Sequence, residues 1–555
     1  MPQTPTRQEI ELPRPELIAA AAGLLYYLGF PPLGCWPLSV AGASLLAGAL
    51  ASSRSLKQAL TVAALMKIIA ILPTGAYLTG LGLLVWVVGA VIYLLPWALA
   101  VAGGSWLARR LGGEAAGLLV IPGLWTLGEW YGTSFHFLPS HLTAWSEALA
   151  SPGLLVVRYT GVWGVATLAA FAAVLPWLAV VAARSAEPRR RAALAATALL
   201  SAGLLIPPFL ARLASPSPAR PGGEPLAAAV ASLEAGEAME SYLARGAGTP
   251  DGAAAVELYL KKRAAAIADL LGGARPDLYV IPEDAINVIL SRSRSEQAYR
   301  AFGIENNGAL LDAFQRLARE RGFAWALGLT TVRGGNRYNS TLLVDAKGGL
   351  AGLRDKWRLT PGSEYWPLSR WLPLWLLFGG EQYVDAAKPY APARTPFPLM
   401  SFKGWRLGTL VCLEGHMPAM YRGWRRASAD LVLFMANANW FHREPGAFNR
   451  QVLNVVRLSA AAYGLPVLLT GKASYAGYVD EFGGFQIWPW ASSPEEEAAH
   501  LVTVARPAPG LTVPARFGEY YLVLSAVLVP LMVLIARVMG GLKTGVQSQK
   551  PQSAA

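Results

Sequence analysis

A chain of 555 residues, 54% hydrophobic and only 15% charged, carries too little charge for an ordinary water-soluble globular protein and asks for lipid as part of its solvent. The net charge of +13 would suit a nucleic-acid binder, but its tightest clusters, Arg109-Arg110 and Arg189-Arg190-Arg191, flank apolar runs as membrane-topology signals do, so no nucleic-acid partner is expected. Two cysteines exclude a disulfide framework, and no second histidine is spaced to share a metal with His416, which reads as a solvent-side or capping residue.

In chain order, the apolar runs 17–30 and 36–51 are joined by Pro31-Pro-Leu-Gly-Cys35 and predict a helical hairpin. The tail before them mixes Arg7 and Arg14 with Glu9, Glu11 and Glu16, and no small-residue cleavage site follows, which predicts an uncleaved anchor rather than a signal peptide. Runs at 59–78, 81–107, 115–135, 161–183 and 192–210 are each long enough to cross a bilayer, and a last one lies at 520–538. Connections holding Arg54 and Lys57, Arg109 and Arg110, Arg184 and Arg189 to Arg191, then Arg537 and Lys543, alternate with connections free of Lys and Arg. The positive-inside bias therefore puts both termini in the cytoplasm and the stretch between spans seven and eight outside.

The expected organisation is a membrane domain of seven helices over 1–214, a globular domain over 215–516, an eighth helix at 517–540 and a cytoplasmic tail at 541–555. Lys67 and Glu129 fall inside predicted spans, where an ionisable group is costly. Lys67 is expected to snorkel or pair. Glu129, beside Trp125 and Trp130, is expected either in a structural polar contact or at a lipid-facing groove that binds substrate.

The stretch 215–225, rich in Pro, Ser and Gly, reads as a linker. Beyond it, β-rich runs at 278–281, 323–329, 340–344, 407–412, 431–435 and 465–469 alternate with helical patterns at 256–271, 309–321 and 451–463, which predicts a layered α/β domain. Three strands end on a reactive residue: Leu278-Tyr-Val-Ile-Pro-Glu283, Leu353-Arg-Asp-Lys356 and Leu410-Val-Cys412-Leu-Glu414. Gathered at one mouth of the sheet, a carboxylate, an ammonium and a thiol can carry acyl transfer. The carboxylate takes the thiol proton, the thiolate attacks an acyl carbon, and the ammonium with a backbone N–H following the thiol meets the oxyanion.

In order and local context these motifs resemble the Glu-Lys-Cys triad of the nitrilase superfamily. That resemblance implies an αββα sandwich with Glu283 as base, Lys356 as oxyanion partner and Cys412 as nucleophile. Glu364, in Pro361-Gly-Ser-Glu-Tyr365, resembles the superfamily's second glutamate, and Glu414 stands with it as a supporting residue.

A domain of this kind preceded by seven spans and followed by one is similar to the apolipoprotein N-acyltransferase family. The likeness runs through Phe30-Pro-Pro-Leu-Gly-Cys-Trp-Pro37, 122–129, Arg337-Tyr-Asn-Ser340, 355–367, 411–414, 437–441 and Arg516-Phe-Gly-Glu519. It implies a multi-pass protein of the bacterial inner membrane with its catalytic domain on the periplasmic side. Cys412 would take an acyl chain from a phospholipid as a thioester and pass it, without a cofactor, to the α-amine of the N-terminal diacylglyceryl-cysteine of a lipoprotein. Trp366, in the apolar segment 366–378, then becomes a candidate for substrate contact together with Trp440, Phe441 and Glu129, with burial or plain packing as the alternative for each.

The likeness is incomplete around the triad. Ile281 and Leu413 replace a usual Trp and Tyr, Ala438 interrupts the family's Asn-Asp-Ala-Trp-Phe, Ala460 replaces the Glu of Arg-x-x-Glu, and Gly471-Lys-Ala-Ser474 replaces an Asn-rich loop. A membrane-tethered amidase, an acyltransferase with another acceptor, and a non-catalytic relative that binds lipid or lipoprotein therefore stay open beside the leading expectation.

Overall fold

The computed structural model describes residues 12–81, 83–134, 144–184, 224–234, 250–285, 308–333, 336–361, 364–365, 389–438, 445–520, 522–524 and 527. The predicted span at 192–210 lies outside them, as does most of the one at 520–538. Three described helices are long and apolar enough to cross a membrane: Leu56–Thr74, Trp86–Gly112 and Val157–Arg184. The N-terminal hairpin is formed by Pro15–Leu28 and Trp36–Ser52, about 21 and 26 Å long at 1.5 Å per residue, short of a hydrocarbon core of about 30 Å.

The single span expected at 115–135 is broken into Glu114–Leu119 and Ile121–Thr133. Pro122 explains the break: it brings no N–H to the helix and its ring opposes the preceding turn. Without water between them, membrane helices gain from close backbone approach. Gly42 shows it, since a Cβ there would stand 2.5 Å from the Ala22 carbonyl oxygen. The Arg109 guanidinium donates to the carbonyls of Ala51 and Ser53, at the C-terminal end of Trp36–Ser52.

Lys67 pairs rather than snorkels. Its ammonium lies 2.9 Å from Glu129 Oε1, and the two residues are only 2% and 4% exposed. Tyr26 Oη and Trp125 Nε1 donate to the same oxygen at 3.1 and 3.0 Å, and the Trp145 backbone N–H donates to Oε2 at 2.9 Å. Glu129 thus sits in a closed polar net inside the bundle and not on a lipid-facing groove.

The globular domain is an α/β sandwich with twelve strands among the described residues. They are β1 Leu226–Leu233, β2 Leu278–Ile281, β3 Ala324–Arg333, β4 Asn336–Val344, β5 Leu350–Asp355, β6 Met400–Phe402, β7 Trp405–Val411, β8 Leu431–Asn437, β9 Val467–Lys472, β10 Ala476–Val479, β11 Phe485–Trp488 and β12 Ala498–Val504. The order β5-β4-β3-β2-β1-β9-β8-β7-β6 divides where Ser232 and Leu233 of β1 meet Gly471 and Lys472 of β9, and the two halves fold face to face so that β4 packs on β7.

Alternation along the strands sorts residues into layers. In β8, Leu431, Leu433 and Met435 enter the core between the half-sheets, while Val432, Phe434 and Ala436 enter the core outside. In β1, Leu226, Ala228 and Val230 face inward, and Ala229, Ala231 and Leu233 lie in the outer core shared with helices Pro250–Asp269 and Gly308–Arg321. Both faces being covered, these strands read as unbroken apolar runs.

Helix Pro445–Tyr463 joins the two parts. Val456, Leu458 and Ala461 belong to one hydrophobic core that runs from β8 into the membrane helices. Polar contacts fix the joint: Gln451 Nε2 donates to the Thr74 carbonyl at 2.9 Å, Asn454 Nδ2 to Glu147 at 3.1 Å, and Arg158 to the Glu481 carbonyl at 2.8 Å.

Replacing Lys67 by Met leaves the Glu129 charge buried without its cation, at a cost of roughly 3–5 kcal/mol. Thermal unfolding in detergent should show a large loss for Lys67→Met and a clear recovery in Lys67→Met/Glu129→Leu. Equal stability of wild type and the single variant contradicts the pairing.

Candidate active site

Strand ends assemble the site. β7 stops at Val411, and Cys412 adopts φ +52°, a left-handed conformation strained for a residue with a side chain, which turns the chain into the short 3₁₀ segment Cys412–His416. The thiol is half-buried. Glu283 stands two residues past β2, and Gly328 of β3 makes room for its backbone: a Cβ on Gly328 would lie 2.8 Å from Glu283 Cα. Lys356 directly follows β5, and its N–H continues the ladder to β4 by donating to the Asn339 carbonyl at 2.7 Å.

Asn339 ties these elements together. Its Nδ2 donates to Glu283 Oε1 at 2.6 Å and to Glu364 Oε1 at 2.7 Å. Glu364 Oε2 takes the Lys356 ammonium at 2.8 Å and the Thr360 N–H at 2.6 Å, while Lys356 Nζ also donates to Thr360 Oγ1 at 3.0 Å. Among the described residues Glu283 Oε2, which is buried, finds no hydrogen-bond partner, so one oxygen of this carboxylate is held and the other is available.

The charges bias one another. Burial raises the Glu283 pKa to about 7, with Lys356 and Asn339 opposing and Asp284 and Glu364 adding to the rise. Burial works against the Lys356 ammonium, but Glu364, Cys412 and Glu283 outweigh it and hold its pKa above the usual lysine range. Burial, then Glu283, push the Cys412 thiol well above its ordinary value. Near neutral pH the resting site therefore holds a neutral thiol beside a carboxyl that titrates in that range and a lysine that stays charged.

Glu414 does a different job. Both its oxygens face the Arg354 guanidinium, with one contact at 2.7 Å, and both residues are fully buried. Backbone N–H groups of Trp357, Arg358 and Val411 donate to the same carboxylate at 2.8, 3.1 and 3.1 Å. Burial opposes its ionisation and Arg354 prevails, holding its pKa low. The carboxylate pins the segment carrying Lys356 to the segment carrying Cys412.

Cys412 lines a cleft between the sandwich and the helices. One wall comes from the membrane helices, with Tyr77, Leu78, Trp86 and Tyr93; the other comes from the sandwich, with Leu413 and Phe448. The strand ends bring Glu283, Lys356, Glu364 and Cys412 into one cluster, and of these Cys412 lines the cleft. Trp366, Trp440 and Phe441 lie outside the described residues. His416 departs from expectation, being buried and cleft-lining rather than solvent-side.

Sequence reasoning overlooked Asn339 as the hub and Arg354 as the partner of Glu414. Both are buried polar residues, but β4 is polar around Asn339 and β5 is mostly exposed around Arg354, so neither stood out in the sequence. Among the described residues no group of three or more His, Cys, Asp or Glu side chains could hold a metal ion.

Two families match this chain. The Carbon-nitrogen hydrolase family matches residues 249–492, and the Apolipoprotein N-acyltransferase N-terminal domain matches residues 22–175. The chain is similar to the apolipoprotein N-acyltransferases of Sinorhizobium medicae, at 30% identity over 214 residues, and Rhizobium rhizogenes, at 28% over 212. Each alignment takes in 38% of this chain and 37% of the relative, so the chain spans little more than a third of the length of these curated relatives. Solved structures that resemble it include a carbon-nitrogen hydrolase from Helicobacter pylori, at 14% identity and TM-score 0.36 over 51% of this chain and 89% of that one. An amidase from Nesterenkonia sp. gives 18% identity and TM-score 0.35 over 52% and 94%. The N-terminal helical domain and the hydrolase domain are thus both matched, one after the other in a single polypeptide, which makes the chain similar to the apolipoprotein N-acyltransferases.

Proposed function

We propose that this protein transfers an acyl chain from a phospholipid, through a thioester on Cys412, to the α-amine of the N-terminal diacylglyceryl-cysteine of a lipoprotein. One observation carries the reading: the cleft that reaches Cys412 is walled on one side by membrane helices, so a lipid tail can enter it without leaving an apolar surrounding. The charge pattern of the connections supports an extracytoplasmic position for the domain, with both termini in the cytoplasm.

Glu283 takes the thiol proton as the Cys412 sulfur attacks the ester carbonyl carbon. The oxyanion forms against the Lys356 ammonium and a backbone N–H following Cys412. Collapse breaks the ester C–O bond, Glu283 returns the proton to the departing alkoxide, and a lysophospholipid leaves the thioester behind. The acceptor nitrogen then attacks the thioester carbon and gives its proton to Glu283. The C–S bond breaks, the sulfur regains a proton from Glu283, and an amide departs. Asn339, Thr360 and Glu364 hold the base and the ammonium in place throughout.

Leu413, where the family usually has Tyr, gives the cleft an apolar wall beside Cys412 and favours a second reading in which another amine is the acceptor. A diacylated lipopeptide competing with simple amines for the thioester separates the two.

Incubating the purified protein with phospholipid should add one acyl mass to the Cys412 peptide, and Cys412→Ser should accumulate no thioester; a folded wild type that gains no acyl mass sinks the reading. Acylation needs Glu283 ionised, so its single-turnover rate should climb as pH rises through about 7 and then level off. Asn339→Leu removes a donor that favours the carboxylate, so the midpoint should move to higher pH. A midpoint that stays put or moves down speaks against Glu283 as the base.

A further inference from the structure

The imidazole of His416 has no role in the chemistry above, yet its setting calls for one. It is only 5% exposed, lines the cleft one turn beyond Cys412, and lies edge-on to Phe434 and Phe448, with ring centroids 6.3 and 5.4 Å away. Among the described residues Nδ1, which is buried, finds no hydrogen-bond partner. A buried polar group left unpaired costs about 1–3 kcal/mol, so an unpaired imidazole in a cleft wall points to a partner supplied by the ligand. Burial, with the Lys356 charge adding to it, lowers the His416 pKa to about 3, so the ring is neutral at physiological pH. A neutral ring is poorly suited to a phosphate anion and well suited to an uncharged oxygen.

Resting on the acyl-transfer reading, we propose that His416 is a specificity residue that hydrogen-bonds an uncharged glycerol-side oxygen of the acyl donor: the second ester carbonyl of a diacyl lipid, or the free hydroxyl of a monoacyl one. Spacing fits. Four residue steps of 3₁₀ segment put His416 about 8 Å from Cys412 along the axis, so a donor whose scissile ester meets the sulfur carries its neighbouring glycerol oxygens toward the ring. The ring contacts the part of the donor that leaves, so binding of donor rather than breakage of the ester depends on it.

The test measures single-turnover acylation of Cys412 in full-length protein with a diacyl phospholipid, a lysophospholipid, and an activated acyl ester such as p-nitrophenyl palmitate, which has no glycerol. His416→Met should raise the half-saturating concentration of phospholipid about tenfold with little change in the limiting rate, and leave the activated ester unaffected. His416→Gln, neutral and able to donate, should recover most of the loss. The arm that suffers more, diacyl or lyso, tells the ester carbonyl from the hydroxyl. A parallel loss with the activated ester in both variants would show a packing role and overturn the proposal, as would no loss with either glycerol donor. Wild type that reacts with the activated ester but with neither lipid removes the phospholipid-donor reading, and this proposal with it; wild type that reacts with lipid while His416→Met does so equally well removes this proposal alone.

Discussion

The Lys356 ammonium is the charge around which the site is arranged. It is buried against Glu364, and its field reaches Glu283 and Cys412. Burying three potential anions beside one another would force protons onto them, because like charges in a poorly polarisable site cannot all ionise. The ammonium sets how far this goes. Glu364 is its direct partner, Glu283 is left to titrate near neutrality, and the thiol keeps its proton until something takes it. A second cation, Lys472, serves the same cluster from the end of β9: its Nζ donates to the Asp284 carbonyl at 3.3 Å, and its charge opposes the rise that burial imposes on Asp284.

This arrangement needs the strand ends to stay in register. β2, the strand that leads to Glu283, is apolar on both faces, so a slip of one residue would exchange two different cores, the inner one between the half-sheets and the outer one beneath helices. Glu414 adds a tie that hydrophobic burial cannot, since its carboxylate receives Arg354 and three backbone N–H groups from two separate segments. Helix Pro445–Tyr463 then transmits the placement to the membrane part, sharing one core with β8 and the membrane helices.

Much of this was legible in the residues. The β-rich runs, the reactive residue after each of three of them, and the long apolar runs were all visible, because burial and chain reversal dictate them locally. Other features were not. β1 reads Leu-Ala-Ala-Ala-Val-Ala-Ser-Leu, a composition that favours helix in isolation, and becomes a strand because both its faces are covered. The partner of Glu414 lies 60 residues away in sequence, and Asn339 reaches Glu283 across 56, so neither pairing leaves a local trace. His416 misled because polarity suggested solvent, whereas the helix that covers it follows thirty residues later.

Among the described residues three ion pairs are buried: Lys67 with Glu129 in the bundle, Lys356 with Glu364 in the site, and Arg354 with Glu414 between strands. Such pairs are poor sources of net stability, because desolvating both charges consumes most of what their attraction returns. They differ from apolar contacts in direction. A leucine accepts any neighbour of suitable shape, but a carboxylate with four assigned donors accepts one geometry. In the bundle this matters more than in water, because lipid tails compete with apolar side chains for the same surfaces and hydrophobic burial gives little preference among helix arrangements. Ile71 and Gly75, one and two turns beyond Lys67 on the same helix, line the cleft, so the membrane pair and the site pair fix opposite walls of one space. Directed polar contacts thus hold elements on both sides of the cleft that Cys412 lines, while the lining itself is largely apolar.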